Sequence, residues 1–309
     1  MAPSLDHPAL VYQTVEEFLE RMVPFVVQGA ERDEPVFVAV GPGELDALRA
    51  EVGEREPVHW RDTTQWHPHP GTRLGAFHVF VTDAVRAGAG RIRLVGEPLW
   101  PDDPPGLARE WARYESALNT ALAPFPVTVV CTYDASRLAP DVLDDAARTH
   151  PTLGVGTGSR PSEAYVEPAS LVAHWTDPLA PPPPEAEVLP GPVNLGSARA
   201  FVGDLVRRSG GSPARAHDLQ LAVNEIVTNA LVHGDGDATV WAWVDDGSVV
   251  CQIDDHGPGV ADALAGYRPP RPDQLRGRGL WLTRQVVDLL EIVPTSSGTS
   301  VRVRVRIDR

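Results

Sequence analysis

Apolar residues fall at helical spacing through Val15, Phe18, Leu19, Met22, Val23 and Val26, which predicts a helix over residues 11–28. The β-rich run Val36-Phe37-Val38-Ala39-Val40 comes after Pro35, and Gly41-Pro42-Gly43 ends it. Residues 45–52 return to helical spacing. Further β-rich runs cover 58–60, 92–95 and 127–133, and helical patterns cover 75–87, 107–123 and 139–148. Strands alternating with amphipathic helices predict a mostly parallel sheet covered on both faces, an α/β domain.

The pattern then breaks. Residues 151–176 are ambiguous, rich in Gly, Ser and Thr at first and more apolar later. Four consecutive prolines, Pro181 to Pro184, sit in a stretch that can continue neither a helix nor a central strand. It reads as a semi-rigid linker over residues 176–193, between a domain at 1–175 and a second at 194–309. In the second domain, helices are expected at 197–208 and 214–232 and strands at 238–244 and 249–254, with Asp245-Asp246-Gly247-Ser248 as a hairpin turn. A helix at 278–290 and strands at 291–293 and 300–307 complete it, the last two joined by Thr295-Ser296-Ser297-Gly298. Helices first and hairpins afterwards predict an α+β sandwich.

Composition narrows the chemistry. The formal charge is −15 with a pI near 5.0, which disfavours direct nucleic-acid binding, since that needs a basic face. All 27 basic residues are arginine, so the lysine of a P-loop or of a protein-kinase strand is missing. No apolar run approaches the roughly eighteen residues of a membrane span, and the start Met1-Ala2-Pro3-Ser4 lacks a signal-peptide pattern. A cytoplasmic location is expected. Cys131 and Cys251 lie in apolar runs and are expected to be small core residues. The ten histidines show no tight ligand cluster, and His67-Pro68-His69 is expected to be an exposed loop.

Candidate chemistry gathers in the second domain. Glu225 and Asn229 stand four apart and share a helix face. An Asn amide oxygen suits Mg²⁺ and a carboxylate can accept a proton from an attacking hydroxyl, although a surface pair would look the same. Asp255-His256-Gly257-Pro258-Gly259 ends a strand; its carboxylate can accept from an adenine amino group, and its glycines permit close backbone approach. Arg276-Gly277-Arg278-Gly279 opens a helix, where bare N–H groups attract phosphate. Thr299, after Gly298, brings a hydroxyl within reach of a base, or simply forms a turn.

The order of these pieces resembles the GHKL (histidine-kinase-like) ATPases. Residues 221–230 are similar to that superfamily's N box, Asp255 to Gly259 to its G1 box and Gly277 to Leu280 to its G2 box, over about residues 194–306. The resemblance implies a Bergerat-type fold holding ATP and Mg²⁺. It makes Glu225 the general base, Asn229 the Mg²⁺ ligand and Asp255 the adenine selector. Gly257, Gly259, Gly277, Arg278 and Gly279 would shape pocket and lid, with Thr299 near the base. His233 resembles a position common in the anti-sigma branch and serves equally well as a capping or packing residue.

The short lid over residues 260–276, followed by Gly277-Arg278-Gly279-Leu280-Trp281-Leu282 and preceded by a proline linker where histidine kinases carry a dimerising hairpin, is similar to the bacterial serine kinases that sequester sigma factors and phosphorylate STAS-type anti-anti-sigma partners. In the first domain, His7, Ala9, Leu10 and Tyr12, then Gly96 to Trp100, Trp111 with Arg113 to Glu115, and Cys131 with Tyr133-Asp134 resemble the MEDS sensory domain. That resemblance implies a RecA-like core without a working P-loop. His7, Glu97, Tyr114 and Glu115 could then line a sensory pocket or serve as structural contacts. The expected protein is an ATP/Mg²⁺-dependent anti-sigma regulator with Ser/Thr kinase activity, binding a sigma factor and a STAS protein, with homodimerisation open. Its rivals are a non-catalytic ATP-gated switch and a cytosolic sensor histidine kinase.

Overall fold

The computed structural model describes residues 5–55, 57–66, 69–98, 106–155, 158–270 and 277–307. The chain divides into two compact units, Met1–Leu171 and Val172–Arg309.

The first unit runs β1 (Pro8–Tyr12), α1 (Val15–Glu31), β2 (Val36–Val40), α2 (Pro42–Val52), β3 (Val58–Asp62), α3 (Pro70–Arg86) and β4 (Ile92–Gly96). It continues through α4 (Leu107–Ala121), β5 (Val127–Asp134), α5 (Pro140–Thr149), β6 (Thr152–Val155) and β7 (Gly158–Pro161), and the boundary between the units falls within α6 (Pro168–His174). Its seven strands take the order β3-β2-β4-β5-β1-β6-β7, parallel except for the antiparallel β7. Strands β2, β4 and β5 are buried at every position, as the unbroken apolar runs require of strands covered on both faces.

One helix starts later than its spacing predicted. Residues 8–12 form β1, pairing with β5 and β6, and the Thr14 side chain accepts from Glu17 N (3.3 Å) to cap α1. Val11 and Tyr12 continue the helical spacing by coincidence, and the Thr14 cap decides the boundary. The ambiguous residues 151–176 resolve into the β6–β7 hairpin and α6.

The second unit contains β8 (Glu187–Val188), α7 (Leu195–Arg208), α8 (Pro213–His233), β9 (Ala238–Asp245), β10 (Ser248–Asp255), α9 (Gly279–Val286), β11 (Leu289–Pro294) and β12 (Thr299–Arg306). Its antiparallel sheet has the order β11-β12-β10-β9-β8. One core joins Val202, Leu219, Val223, Ile226 and Val227 of α7 and α8 to Val240, Cys251, Ile253, Val301 and Val303 of the sheet. Within the proline-rich segment, Glu187 and Val188 pair with Ala242 and Trp241 as an edge strand, the one kind of strand in which nearby prolines leave no ladder bond unmade.

The helix expected over 278–290 stops at Val286. Leu289 and Leu290 instead pair with Arg304 and Val303, and Asp288 anchors the bend by accepting from Arg306 N and from Arg215. Strand pairing and a buried carboxylate override the local helical pattern. Among the described residues no helix is long and apolar enough to cross a membrane.

Candidate functional site

Helix α8 begins with Ser212, whose hydroxyl accepts from Arg215 N (3.3 Å), and Pro213 at its first turn. Its buried stripe locks it onto the sheet, and Ile226 and Ala230 at the edge of that stripe share one side of the helix with Asn229 and His233, spaced i, i+3, i+4 and i+7. That face borders a cavity of about 370 Å³, within the range of small-ligand sites. Asp255, Gly257, Gly259, Gly277, Gly279 and Thr299 line the same cavity.

Asp255 lies at the end of β10, opposite Thr299 on β12. Its Oδ1 accepts from the backbone N–H groups of Gly257 (3.0 Å) and Thr299 (3.1 Å), which fixes the carboxylate and leaves Oδ2 to accept a third donor. On the far side, Gly277 takes φ 76°, a left-handed turn that suits glycine, and α9 starts two residues later. The N-cap residue Arg278 makes no side-chain capping bond, and the start of α9, where a helix presents N–H groups to anions, borders the cavity through Gly279 and Leu280.

Glu225 does not line the cavity itself. Its Oε2 lies 2.7 Å from where a Cβ on residue 279 would stand, so the carboxylate fills the space beneath Gly279, and its Oε1 accepts from Asn224 (3.4 Å). Arg278 is the exposed N-cap residue of α9 and is also outside the lining. Of the nine residues expected at the site, seven meet at one cavity, Glu225 abuts it through Gly279, and Arg278 flanks it. Arg276 and the rest of 271–276 lie outside the described residues.

In the first unit the four expected sensory residues separate. Glu97 follows β4 and accepts from Gly41 N, and it borders a cavity of about 390 Å³ with Glu44, Thr63, Asp134 and Arg137. This cavity opens at the carboxyl ends of β2 and β4, adjacent strands whose connections run to opposite sides, the usual ligand position in open α/β sheets. Burial, together with neighbouring Glu44, raises the Glu97 pKa above the usual carboxylate range.

His7 and Glu115 instead meet inside the unit with Cys131 and His150, while Tyr114 packs edge-on against Trp111 at 5.2 Å. This corrects two expectations. The histidines do form a tight cluster with a cysteine, and Cys131 faces His7 (3.3 Å) rather than serving as apolar filler. Four separate stretches of the chain supply its members, so no spacing motif marks it. Cys251 is a free core cysteine, as expected. Leu99 and Trp100 of the first-domain motif, and His67 and Pro68 of the expected loop, lie outside the described residues.

Residues 6–151 match the MEDS (methanogen/methylotroph, DcmR) sensory domain, and residues 189–305 match the histidine kinase-like ATPase domain. Over 121 residues the chain is 31% identical to the anti-sigma F factor of Clostridium botulinum, covering 85% of that protein and 36% of this one. The family follows from that coverage. The chain belongs to the histidine kinase-like ATPases of the anti-sigma factor type. This anti-sigma-type ATPase is also 40% identical over 76 residues to the sensor histidine kinase component HK1 of Mycobacterium tuberculosis, covering 23% of the chain and 45% of that protein. The RsbU and RsbW domains of a Mycobacterium tuberculosis protein align with 22% identity and a TM-score of 0.31, over 42% of this chain and 34% of that one.

The anti-sigma ATPase's apolar lining was less legible than its polar residues. Ile226 could be found from helical spacing around Asn229. Ile292 and Val301, by contrast, reach the cavity as a cross-strand pair, which needs the β11–β12 register.

Proposed function

We propose that the chain is an ATP- and Mg²⁺-dependent anti-sigma regulator that phosphorylates serine or threonine on a STAS-type partner, gated by its N-terminal MEDS domain. In this division of labour residues 1–175 sense, 176–193 link and 194–309 hold the nucleotide, and the protein acts in the cytoplasm. The observation that carries the reading is the convergence of Asn229, Asp255, Gly277, Gly279 and Thr299 on one cavity, with the Glu225 carboxylate against its wall.

The donor set fits the nucleotide. Asp255 Oδ2 accepts the adenine amino group, and Ile226, Ile292 and Val301 provide an apolar surface for the base. Asn229 would contribute a neutral oxygen suited to Mg²⁺, and the start of α9 beside Gly279 would meet the phosphates. Bound MgATP supplies the transferable γ-phosphoryl group. Glu225 would take the proton from the partner's hydroxyl as that oxygen attacks the γ-phosphorus, the bond to the β-phosphate breaks and ADP leaves. The net charge of −15 suits protein partners rather than nucleic acid.

The test is sigma capture. Mixed with sigma factors of its own genome, the chain is expected to retain one on size-exclusion chromatography with MgATP and to release it to an unphosphorylated STAS protein. Failure to retain any of them while nucleotide is bound overturns the anti-sigma reading. The match to a histidine kinase component favours a second reading, autophosphorylation on histidine, whose mark is an acid-labile phosphoryl group on the chain itself.

A further inference from the structure

The cluster in the first unit has an unusual balance of hydrogens. His7 precedes β1, Glu115 is on α4, Cys131 is on β5 and His150 follows α5, and all four are buried. Asn119 Nδ2 donates to Ser116 O (3.1 Å) and Thr149 O (2.7 Å), so its Oδ1, 3.0 Å from His7 Nδ1, must accept. His7 therefore carries its proton on Nδ1. His150 Nδ1 lies 2.9 Å from both Ala146 O and the Thr149 hydroxyl; that hydroxyl donates to Asp145 O (2.9 Å), so Nδ1 carries the proton and donates to the Ala146 carbonyl. Both Nε2 lone pairs consequently face inward, toward a carboxylate and a thiol.

The Cys131 S–H can satisfy only one acceptor, and it lies 3.3 Å from His7 Nε2. His150 Nε2 and Glu115 Oε2 are left 3.2 Å apart, acceptor against acceptor, and both are buried without a hydrogen-bond partner. Such orphaned polar atoms are costly. A single cation between the four groups satisfies all of them.

We propose that His7, Glu115, Cys131 and His150 bind one divalent transition-metal ion, of the Zn²⁺ class, as a closed site inside the MEDS domain. The spacing suits a tetrahedral ion, whose N, O and S ligands stand roughly 3.3–3.8 Å from one another. His7 Nε2 lies 3.8 Å from Glu115 Oε2 and 3.3 Å from Cys131 Sγ, and all four ligand atoms fall within 4.8 Å. The mixed imidazole, thiolate and carboxylate set favours zinc over calcium or magnesium. Asn119 and the Ala146 carbonyl are the outer partners that orient the two rings. Cys131 binds as thiolate, so each ion taken up displaces the thiol proton to solvent. Four protein ligands leave no open position, which makes the role structural. Such a site is independent of what the ATPase domain does.

The test starts with the 309-residue chain, purified without added metal and analysed by elemental mass spectrometry. It then removes any metal with a chelator and titrates the apoprotein with Co²⁺. The expected result is one zinc per chain, and Co²⁺ uptake with a thiolate-to-cobalt charge-transfer band that Cys131→Ser abolishes. Asn119→Leu, outside the ligand set, is expected to weaken Co²⁺ affinity about 10–100-fold. Absence of metal in the isolated protein, combined with no Co²⁺ uptake by the apoprotein, overturns the proposal. So does a cobalt spectrum that lacks the thiolate band in the wild type, because binding would then be elsewhere. Both of these outcomes are read from the wild-type chain, so a variant that fails to fold does not blunt them.

Discussion

Glu225→Gln is expected to slow phosphoryl transfer about 10²–10⁴-fold, the usual contribution of a general base, with ATP affinity little changed. Glutamine has nearly the same shape, so it still fits beneath Gly279, where a Cβ would stand only 2.7 Å from the present Oε2. Its amide oxygen can keep the contact from Asn224 that Glu225 Oε1 now accepts (3.4 Å). What disappears is the capacity to take a proton. Single-turnover transfer and calorimetric ATP titration separate the two effects. Transfer at the wild-type rate would remove Glu225 from the chemistry, and a parallel loss of ATP binding would make it a structural residue.

Asp255→Asn is the second large effect, and it falls on binding. Asparagine can still present Oδ1 to Gly257 N and Thr299 N, now 3.0 and 3.1 Å away, so the end of β10 should hold its shape. The amide N–H₂ then replaces Oδ2 and meets the adenine amino group donor to donor. Losing a charge-assisted hydrogen bond of about 1.5–3 kcal/mol corresponds to roughly 10–200-fold weaker ATP binding. Equilibrium titration with an unchanged thermal transition is the expected outcome. Undiminished ATP affinity would locate the adenine away from Asp255.

The polar half of this site was readable because its pieces are local. Glu225 and Asn229 are one helical turn apart, and Asp255, Gly257 and Gly259 follow one strand end, so spacing alone places each set. Features made by pairing were not readable. Tyr12 extends a helical pattern but pairs with Asp134, and Leu289 does the same but pairs with Arg304. Glu97 and Glu115 belong to one family motif set, yet one lies at the strand ends and the other inside the His–Cys cluster. Only the parallel order of β4, β5 and β1 decides which residues meet.

Phosphoryl transfer from ATP in this cavity to a partner's hydroxyl is the step on which the proposed function rests. Its most direct measurement is incubation of the chain with Mg²⁺, γ-labelled ATP and STAS-domain proteins of the same genome, followed by acid treatment and mapping of the label. The expected result is acid-stable label on a serine or threonine of one partner. Measurable ATP binding with no label on any partner would contradict it and leave a nucleotide-gated protein switch.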